Sequence, residues 1–257
     1  MTVFTCEQEL EAMLTCIHVA WSSGLGHKNI RLEIEPIGQT NLFDEYIHVD
    51  GDSKKAMSVM NAVNMKISTN VYEQMAFVAL SFEKDALDAI YRTMILGFAL
   101  GPNVLNRIEY RDVMRFNELY KRVSGEAYHF QEFVRFHLVN NMIYVAHIEP
   151  RSRVLPYLGV AFADRMPSED WMIVDDVHKE AVIHPKDEDF YLMRLGVDEF
   201  ERLLLTEQEN DEYTDMWKIF FDSIAIKERT NEKCQQGHFP LWKRKHAVEF
   251  MDNDAIG

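Results

Sequence analysis

The stretch that decides the fold is FVRFHLVNNMIYVAHIEP, residues 133–150. It holds two runs rich in β-branched and aromatic residues, 133–138 and 143–148, on either side of the polar pair Asn140-Asn141. Two such runs around a short polar pair are typical of a β-hairpin. The sequence therefore predicts an antiparallel hairpin here, closed by Glu149-Pro150.

The same hairpin carries a candidate binding site. With a two-residue turn, Arg135 lies opposite Ala146, and His137 lies opposite Tyr144. An arginine beside a small residue, flanked by histidine and tyrosine, can receive an anion or stack a base. The alternative is a sheet face covered by a helix, with Arg135 paired to an acidic neighbour. A register shift of one residue would reverse which side chains share a face.

The chain before the hairpin is predicted to be mostly helical. Apolar residues recur there at helical spacing. The spacing predicts five helices, at about 6–21, 52–66, 70–80, 84–98 and 110–123. Two strand-like pieces, 30–37 and 43–49, interrupt them, and in the first Ile30, Leu32 and Ile34 alternate with charged residues. That alternation is typical of a half-buried strand.

After the hairpin, strands are predicted to predominate. The patterns predict a short helix at about 152–163 and strands at 171–177, 180–184 and 190–195. An acidic stretch, 196–212, precedes a predicted amphipathic helix at about 213–224 and a basic, aromatic tail.

These elements predict an α+β fold. Residues 1–128 form a mostly helical half with a short N-terminal β element, and residues 129–257 form an antiparallel sheet with covering helices and a basic tail. Because no strong linker separates the halves, one continuous domain is the alternative.

The chain is acidic, with a formal net charge of −15. Such a charge repels phosphate and argues against non-specific nucleic-acid binding. The charge is unevenly spread, since residues 227–246 contain 6 basic and 2 acidic residues. An acidic protein with local basic faces can still bind a polyanion through those faces. The alternative is an acidic cytosolic protein with ordinary solvated faces.

The sequence predicts a cytoplasmic protein. Cys6, Cys16 and Cys234 are too few and too scattered for a disulfide framework. The N-terminus lacks a basic region followed by an apolar run, so no signal peptide is expected. No stretch reaches the roughly 18 consecutive apolar residues that a bilayer span needs, so no membrane contact is expected.

A row of arginines follows the predicted helix at 110–123. At about 100° per residue they share one side of that helix if it extends back to residue 107. The row consists of Arg107, Arg111, Arg115 and Arg122. Guanidinium groups in such a row can follow a phosphate backbone. Glu118 lies in the same row, so the alternative is a solvated, salt-bridged helix face.

The tail offers a second group of basic and aromatic residues. Basic residues in 227–246 interleave with Phe239 and Trp242, and Lys243 and Arg244 follow directly. Single-stranded nucleic-acid surfaces use this combination. It is equally typical of a tail that docks a partner protein or of a plain solvated tail.

No motif identifies a reaction or a catalytic residue. Dinucleotide, P-loop, zinc-protease, nucleophile-elbow and kinase signatures are missing from the sequence. Cys234 and His238 supply only two of the four ligands of a structural zinc site, so neither a metal nor a cofactor is expected. Asp175, Asp176 and His178 near a strand end could form an acid–base set, although core or surface roles suit them better.

An ordered series of short motifs runs along nearly the whole chain. The series is Leu96-Gly97-Phe98, Gly101, Val104-Leu105, Gly125-Glu126-Ala127, Phe133-Val134-Arg135-Phe136, Tyr144-Val145-Ala146, Ile148-Glu149-Pro150, Val154-Leu155-Pro156, Phe162-Ala163-Asp164-Arg165, Trp171-Met172-Ile173, Trp217, Phe220, Ile224-Ala225-Ile226, Glu228-Arg229, Asn231, His238 and Pro240. In this order the motifs resemble an uncharacterised bacterial family linked to DNA metabolism and DNA repair.

The resemblance implies a genetic context and a set of candidate residues. It implies a gene beside that of a radical-SAM protein, and a similar domain fused to uracil-DNA glycosylase-like domains in other chains. It also marks the matched polar and aromatic residues as candidates for a shared site. Besides Arg135, these are Glu149, Asp164, Arg165, Trp171, Arg229 and His238.

Three functions are compatible with these observations. The first is an accessory protein of DNA modification or repair that binds DNA or a damaged nucleotide through Arg111, Arg115, Arg135 and the tail, alongside a radical-SAM partner. The second is a non-catalytic scaffold that docks the partner enzyme through the tail without contacting DNA. The third is a base-excision or nuclease-like enzyme that uses Glu149, Asp164 and His238.

Overall fold

A computed structural model describes residues 1–38, 40–139 and 143–196. The chain divides into two compact units, unit 1 at Met1–Gly125 and unit 2 from Glu126 onward. Unit 1 is mostly helical, and unit 2 carries a five-stranded sheet. The predicted α+β fold class is therefore confirmed. None of the helices in the described ranges combines the length and the apolar character that a bilayer crossing requires.

Unit 1 begins with a small parallel sheet. Its strands are β1 (Thr2–Cys6), β2 (Ile30–Ile34) and β3 (Glu45–His48), in the order β2-β1-β3. Strand β1 pairs parallel with both neighbours. The prediction overlooked β1, because its five residues at the terminus show no polar–apolar alternation. The described cysteines, Cys6 and Cys16, are buried free thiols.

Five helices complete unit 1. They are α1 (Leu10–Ser22), α2 (Ser53–Lys66), α3 (Thr69–Ala79), α4 (Ala86–Leu100) and α5 (Arg111–Phe133), the last of which continues into unit 2. Asp52 caps α2 by accepting from the N–H groups of Lys54 and Lys55 at 3.0 and 3.1 Å. Ser68 caps α3 in the same way. Each such cap is typically worth about 1 kcal/mol.

Helix α5 packs its apolar side into the core of unit 1. Val113, Phe116 and Leu119 are fully buried there. The helix begins at Arg111, so Arg107, which directly follows the 3-10 helix Gly101–Asn106, lies outside the helical row that the sequence suggested. Tight packing also occurs where α4 meets the end of α2, because a Cβ on Gly97 would lie 2.6 Å from Cδ1 of Ile67, the residue that follows α2.

Unit 2 is built on a mixed sheet. After the end of α5, the elements are β4 (His137–Val139), β5 (Ile143–Ile148), α6 (Leu155–Arg165), β6 (Trp171–Asp175), β7 (Glu180–His184) and β8 (Tyr191–Arg194). The strand order is β4-β5-β6-β7-β8. The expected sheet was antiparallel throughout, but β5 and β6 are parallel. The reason is α6, which connects them as a crossover helix and thereby returns the chain in the same direction.

The hairpin of β4 and β5 differs from its predicted register. His137 pairs with Val145, and Val139 pairs with Ile143, which leaves three residues between the paired ends. The predicted two-residue turn at Asn140-Asn141 lies outside the described residues. Three residues between the paired ends, where two were expected, correspond to a register shift of one residue. Helix α5 also extends to Phe133, so β4 begins later than the predicted strand. The predicted juxtaposition of Arg135 with Ala146 is therefore wrong.

Aromatic side chains fill the interior of unit 2. Trp171 is fully buried at the start of β6, and the rings of Phe136 and Phe162 meet it edge-on. Gly159 of α6 lets Phe190 approach closely, because a Cβ there would lie 2.7 Å from the Phe190 ring.

Candidate functional site

The carboxyl ends of the parallel strands β5 and β6 lie at one edge of the unit 2 sheet, which we call the carboxyl edge. At this edge Ile148 pairs with Asp175. Two connections leave from it, 149–154 into α6 and 176–179 into β7. Ligands of sheets with parallel strands bind most often outside the carboxyl ends of those strands. The candidate site is therefore expected at this edge.

A buried histidine–aspartate pair lies at the carboxyl edge. His147 on β5 is 3% exposed, and its Nδ1 lies 3.0 Å from Oδ1 of Asp176. The backbone N–H of Asp176 donates to the carbonyl of Ile148 at 2.9 Å, which fixes the aspartate beside β5. A carboxylate on one imidazole nitrogen holds the ring in a single orientation, an arrangement that acid–base pairs use.

A second imidazole extends this pair across the sheet. His137 of β4 and His147 of β5 are stacked, with ring centroids 6.4 Å apart and an interplanar angle of 11°. Because His137 pairs with Val145, the two histidines are diagonal neighbours on one face of the sheet. His137, His147 and Asp176 therefore form a row of polar side chains, which we call the polar row.

Asp175 builds the turn that leaves β6. Its Oδ1 accepts from the N–H groups of Val177 and His178, both at 2.9 Å, and its Oδ2 lies 2.6 Å from His178 Nδ1. The turn also contains Lys179 in the left-handed region, with φ of 58°. Asp175 is fully buried. Its carboxylate thus holds the turn and, through it, positions the neighbouring Asp176.

The first connection is anchored from α5. Oε1 of Glu126 accepts from the N–H of Arg151 at 2.8 Å, and Oε2 accepts from the N–H of Ser152 at 3.1 Å. Glu126 is 7% exposed and Ser152 is fully buried. Ser152 Oγ has no hydrogen-bond partner within the described ranges. A buried carboxylate with two backbone donors fixes the path of the chain directly after β5.

The exposed charges at the carboxyl edge are basic. In the two described connections, the charged side chains that are fully on the surface are Arg151 and Lys179. Arg194 at the end of β8 is exposed beside them, with its Nε 3.8 Å from Glu180. Glu180 also accepts from Arg153. We call Arg151, Lys179 and Arg194 the basic rim. It lies on a chain whose net charge is −15.

Arg135 stands apart from the carboxyl edge. It lies between α5 and β4, and its Nη1 donates to the carbonyls of Glu132 and Val134, both at 3.2 Å. A guanidinium on the last carbonyls of a helix stabilises the helix end. His137, its neighbour in the predicted site, lies in the polar row described above.

Two arginines of the α5 row pair with carboxylates of unit 1. Nε and Nη2 of Arg115 donate to the two oxygens of Asp85, and Arg122 donates to Glu83. The bonds from Arg115 hold the pKa of Asp85 below its usual range. For these two side chains, the structure agrees with the alternative of a salt-bridged helix face. Arg111 lies exposed at the start of the helix. A nucleic-acid role for the row stays a prediction.

The family-matched residues fall in different places. Glu149 follows β5 at the carboxyl edge. Asp164 and Arg165 are exposed at the far end of α6, where the crossover has already returned to the start of β6. Trp171 is buried there. The structure therefore separates Glu149 from Asp164, two of the residues offered for an enzymatic site.

The remaining predicted residues lie outside the described ranges. These are Arg229, His238, Trp242, Lys243 and Arg244, together with the predicted helix at 213–224. Within the described ranges, no three His, Cys, Asp or Glu side chains are placed to hold a metal ion together.

Sequence reasoning missed three residues of the site. His147 is a titratable residue inside an otherwise apolar strand, and that placement is a usable signal. Glu126 and Ser152 gave no such signal, because their roles depend on a contact between residues 26 positions apart in the chain.

The fold and the site define a class of protein: a two-unit α+β chain whose second unit carries a polar carboxyl edge on a mixed sheet. The family model described as a domain of unknown function, DUF4130, matches residues 84–249. The chain belongs to this family. The match begins just before α4 and spans all of the described part of unit 2. No curated protein matches the chain, and no solved structure matches it either.

Proposed function

We propose that this chain is an accessory protein of DNA metabolism or repair that acts with a radical-SAM partner and binds DNA or a damaged nucleotide. The ordered motifs from Leu96 to Pro240 support the link to DNA metabolism. The observation that carries the binding site is the basic rim of Arg151, Lys179 and Arg194 at the carboxyl edge.

The basic rim differs in charge from most of the surface of this acidic chain. Most of an acidic surface repels phosphate, so a nucleic acid is directed to the few places where exposed cations collect. At the carboxyl edge the carboxylates of Glu126 and Asp175 are buried and bonded to backbone N–H groups. The side chains of the rim are exposed, whereas these acids are buried. Phosphate contacts of this kind position a nucleic acid without reading its sequence.

A salt titration tests this assignment. Binding of a fluorescently labelled single-stranded oligonucleotide to the full chain is measured by anisotropy at several salt concentrations. Replacing Arg151 and Arg194 by alanine should weaken binding and flatten the slope of log K against log[salt] by about 1.4, because each phosphate contact with a single strand contributes about 0.7. A matched control, Lys54→Ala with Lys66→Ala, removes the same charge from exposed positions of α2.

Two outcomes would reject direct DNA binding at the rim. One is the absence of binding at low salt, and the other is an equal loss in the rim variant and in the α2 control. Lys179 is left unchanged in this experiment, because its positive φ disfavours alanine.

A non-catalytic scaffold that docks the partner enzyme is the second candidate. It is favoured by the pairing of Arg115 with Asp85 and of Arg122 with Glu83, which occupies two cations proposed for DNA. In this candidate the basic tail, including Trp242, Lys243 and Arg244, contacts the partner instead.

Co-purification distinguishes the scaffold from the DNA binder. Replacing Trp242, Lys243 and Arg244 by alanine should abolish co-purification with the radical-SAM neighbour and leave oligonucleotide binding unchanged. The α2 double variant serves again as the charge control. Retention of the partner by the triple variant would exclude docking through the tail.

We also propose a cytoplasmic location. Cys6 and Cys16 are buried free thiols, which suits a reducing compartment. Fractionation of cells that express the tagged chain would test this location directly.

A further inference from the structure

A cavity opens at the edge of the unit 2 sheet opposite the carboxyl edge. Its volume is about 910 Å³, and it lies between α6 and the connection from β7 to β8. Val160, Ala163 and Phe190 form its apolar wall, and His184 and residues 187–189 supply its polar groups. None of these residues belongs to the carboxyl edge, so the cavity is a separate feature of the unit.

His184 is a rigid acceptor in this cavity. It is 3% exposed, and its ring stacks on Trp171 with centroids 4.9 Å apart and an interplanar angle of 2°. Its Nδ1 lies 3.0 Å from the carbonyl of Glu169, and because a carbonyl only accepts, Nδ1 carries the hydrogen. In the neutral ring Nε2 is then a hydrogen-bond acceptor. No residue within the described ranges pairs with Nε2.

Three consecutive acids stand at the cavity mouth. Asp187, Glu188 and Asp189 are exposed, and none of them forms an ion pair with a described residue. Their backbone is held in place, since the N–H of Asp187 donates to the carbonyl of Pro167 at 2.9 Å. The cavity thus combines three carboxylates outside, an apolar wall and one fixed acceptor inside.

We infer that this cavity binds the guanidinium of an arginine side chain from a partner protein. Every polar group assigned above to the cavity accepts hydrogen bonds, and a guanidinium is a planar donor with no acceptor. Its methylene stem can lie along Val160, while the cation lies near the face of Phe190. Phe190 is held there by its close packing on Gly159.

Two other ligand classes suit the cavity less well. A lysine ammonium is a compact point charge. It lacks the planar array of donors with which a guanidinium can bond to His184 Nε2 and to the carboxylates at the mouth together. A nucleotide phosphate would be repelled by the three carboxylates at the mouth. The inference goes beyond the proposed function, since it holds whether or not the carboxyl edge binds DNA.

The test uses the full chain and a small probe. N-acetyl-arginine amide is titrated while the imidazole ¹⁵N resonances of His184 are followed by NMR. The probe should shift Nε2 in a saturable manner, with a dissociation constant in the millimolar range expected for so small a ligand. The citrulline analogue, which has the same shape without the charge, should bind at least about tenfold more weakly. The lysine analogue should also bind more weakly.

Variants at the mouth supply the decisive comparison. Asp187→Asn with Glu188→Gln should weaken the arginine probe by about tenfold, since two charge-assisted contacts become neutral. These positions are exposed, and asparagine tolerates the φ of 60° at residue 187. The matched control, Asp112→Asn with Glu73→Gln, makes the same exchange at exposed positions of unit 1 and should change affinity less than about twofold.

Four results would each overturn the assignment. These are no Nε2 shift with the arginine probe, equal binding of the citrulline or lysine analogue, equal affinity of the mouth variant and its control, and a stronger Nε2 response to deoxyadenosine monophosphate than to arginine.

Discussion

Arg115 donates two parallel hydrogen bonds to the carboxylate of Asp85, from Nε at 2.7 Å and from Nη2 at 2.9 Å. The pair joins α5 to the residue that precedes α4 across 30 positions of sequence. Arg115 also lies 3.5 Å from Glu83 and 3.6 Å from Glu118. A two-pronged contact within a group of three carboxylates is more stabilising than an isolated surface ion pair.

The Arg115–Asp85 pair should make unit 1 sensitive to acid. The hydrogen bonds from Arg115 lower the pKa of Asp85. A lowered pKa means that the pair stabilises the fold at pH values above the ordinary pKa of a carboxyl group. That stability is lost as the pH falls through the lowered pKa. Wild type should therefore lose more stability than Asp85→Asn as the pH falls below about 4.

Urea unfolding at a series of pH values measures this difference. At neutral pH, Arg115→Ala should cost about 1 kcal/mol, since the partners are partly exposed. Asp112→Asn, an exposed substitution on α5, is the control and should follow wild type. Identical acid profiles for wild type and Asp85→Asn would contradict the prediction.

The buried pair at the carboxyl edge should contribute to the stability of unit 2. In Asp176→Asn, the charged acceptor of the hydrogen bond from His147 becomes a neutral amide at the same position. We expect a loss of about 1–3 kcal/mol in the free energy of unfolding, because the partner is a buried polar ring. Chemical denaturation measures it, with the exposed Asp164→Asn as control. Equal stabilities of the two variants would show that the pair contributes nothing.

Glu126 should control the local opening of the chain after β5. Its two oxygens accept from the N–H groups of Arg151 and Ser152. In Glu126→Gln the charge is lost and one oxygen becomes a donor. We expect the amides of these two residues to exchange hydrogen about tenfold faster or more, since a charge-assisted bond is worth about 1.5–3 kcal/mol.

Amide exchange resolved by residue is the measurement for Glu126. Glu73→Gln, at an exposed position of α3, is the matched control and should leave both amides unchanged. Unaltered protection of Ser152 in the Glu126 variant would mean that the loop is held by other contacts.

His48 should titrate above the ordinary histidine range. Its Nδ1 lies 2.8 Å from Glu35 and its Nε2 lies 3.2 Å from Asp50, and these hydrogen bonds raise the pKa of His48. A raised pKa means that the contact stabilises the fold below the ordinary pKa and loses its effect as the pH rises through the raised value. The stability advantage of wild type over His48→Gln should therefore shrink as the pH rises above about 6.5.

An NMR titration of His48 isolates the cause. Glu35→Gln should move the pKa of His48 back toward its ordinary value, because the hydrogen bond from Glu35 is the largest contribution. Asp50→Asn should produce a smaller shift in the same direction. An unchanged titration in Glu35→Gln would refute the assignment.

Local sequence signals located most of the helices well. Helices α2 and α3 begin directly after Asp52 and Ser68, and the observed ends lie within about two residues of those expected from apolar spacing. Such signals act over a few residues, so the amino-acid order contains them. The α+β class followed from the same local patterns.

Features that depend on distant parts of the chain were not predictable. The register of β4 and β5 was off by one residue, because it depends on the length of the connection between the strands and not on the alternation within either strand. The site had the same difficulty, since His147 and Asp176 are 29 positions apart and meet only when β5 and β6 pair. Asp175 and Asp176 were noticed in the sequence, but their different roles depend on that pairing.

The parallel pairing of β5 with β6 has a consequence for the order of folding. Strands β6, β7 and β8 follow one another through short turns, so their pairing closes only short loops. Strand β5 can join β6 only after the chain has passed through α6, which costs more closure entropy. Pulse-labelled hydrogen exchange should therefore protect Val182 before Val145 during refolding. The polar row at the carboxyl edge would then be one of the last parts of unit 2 to form, because it is completed only when β5 pairs with β6.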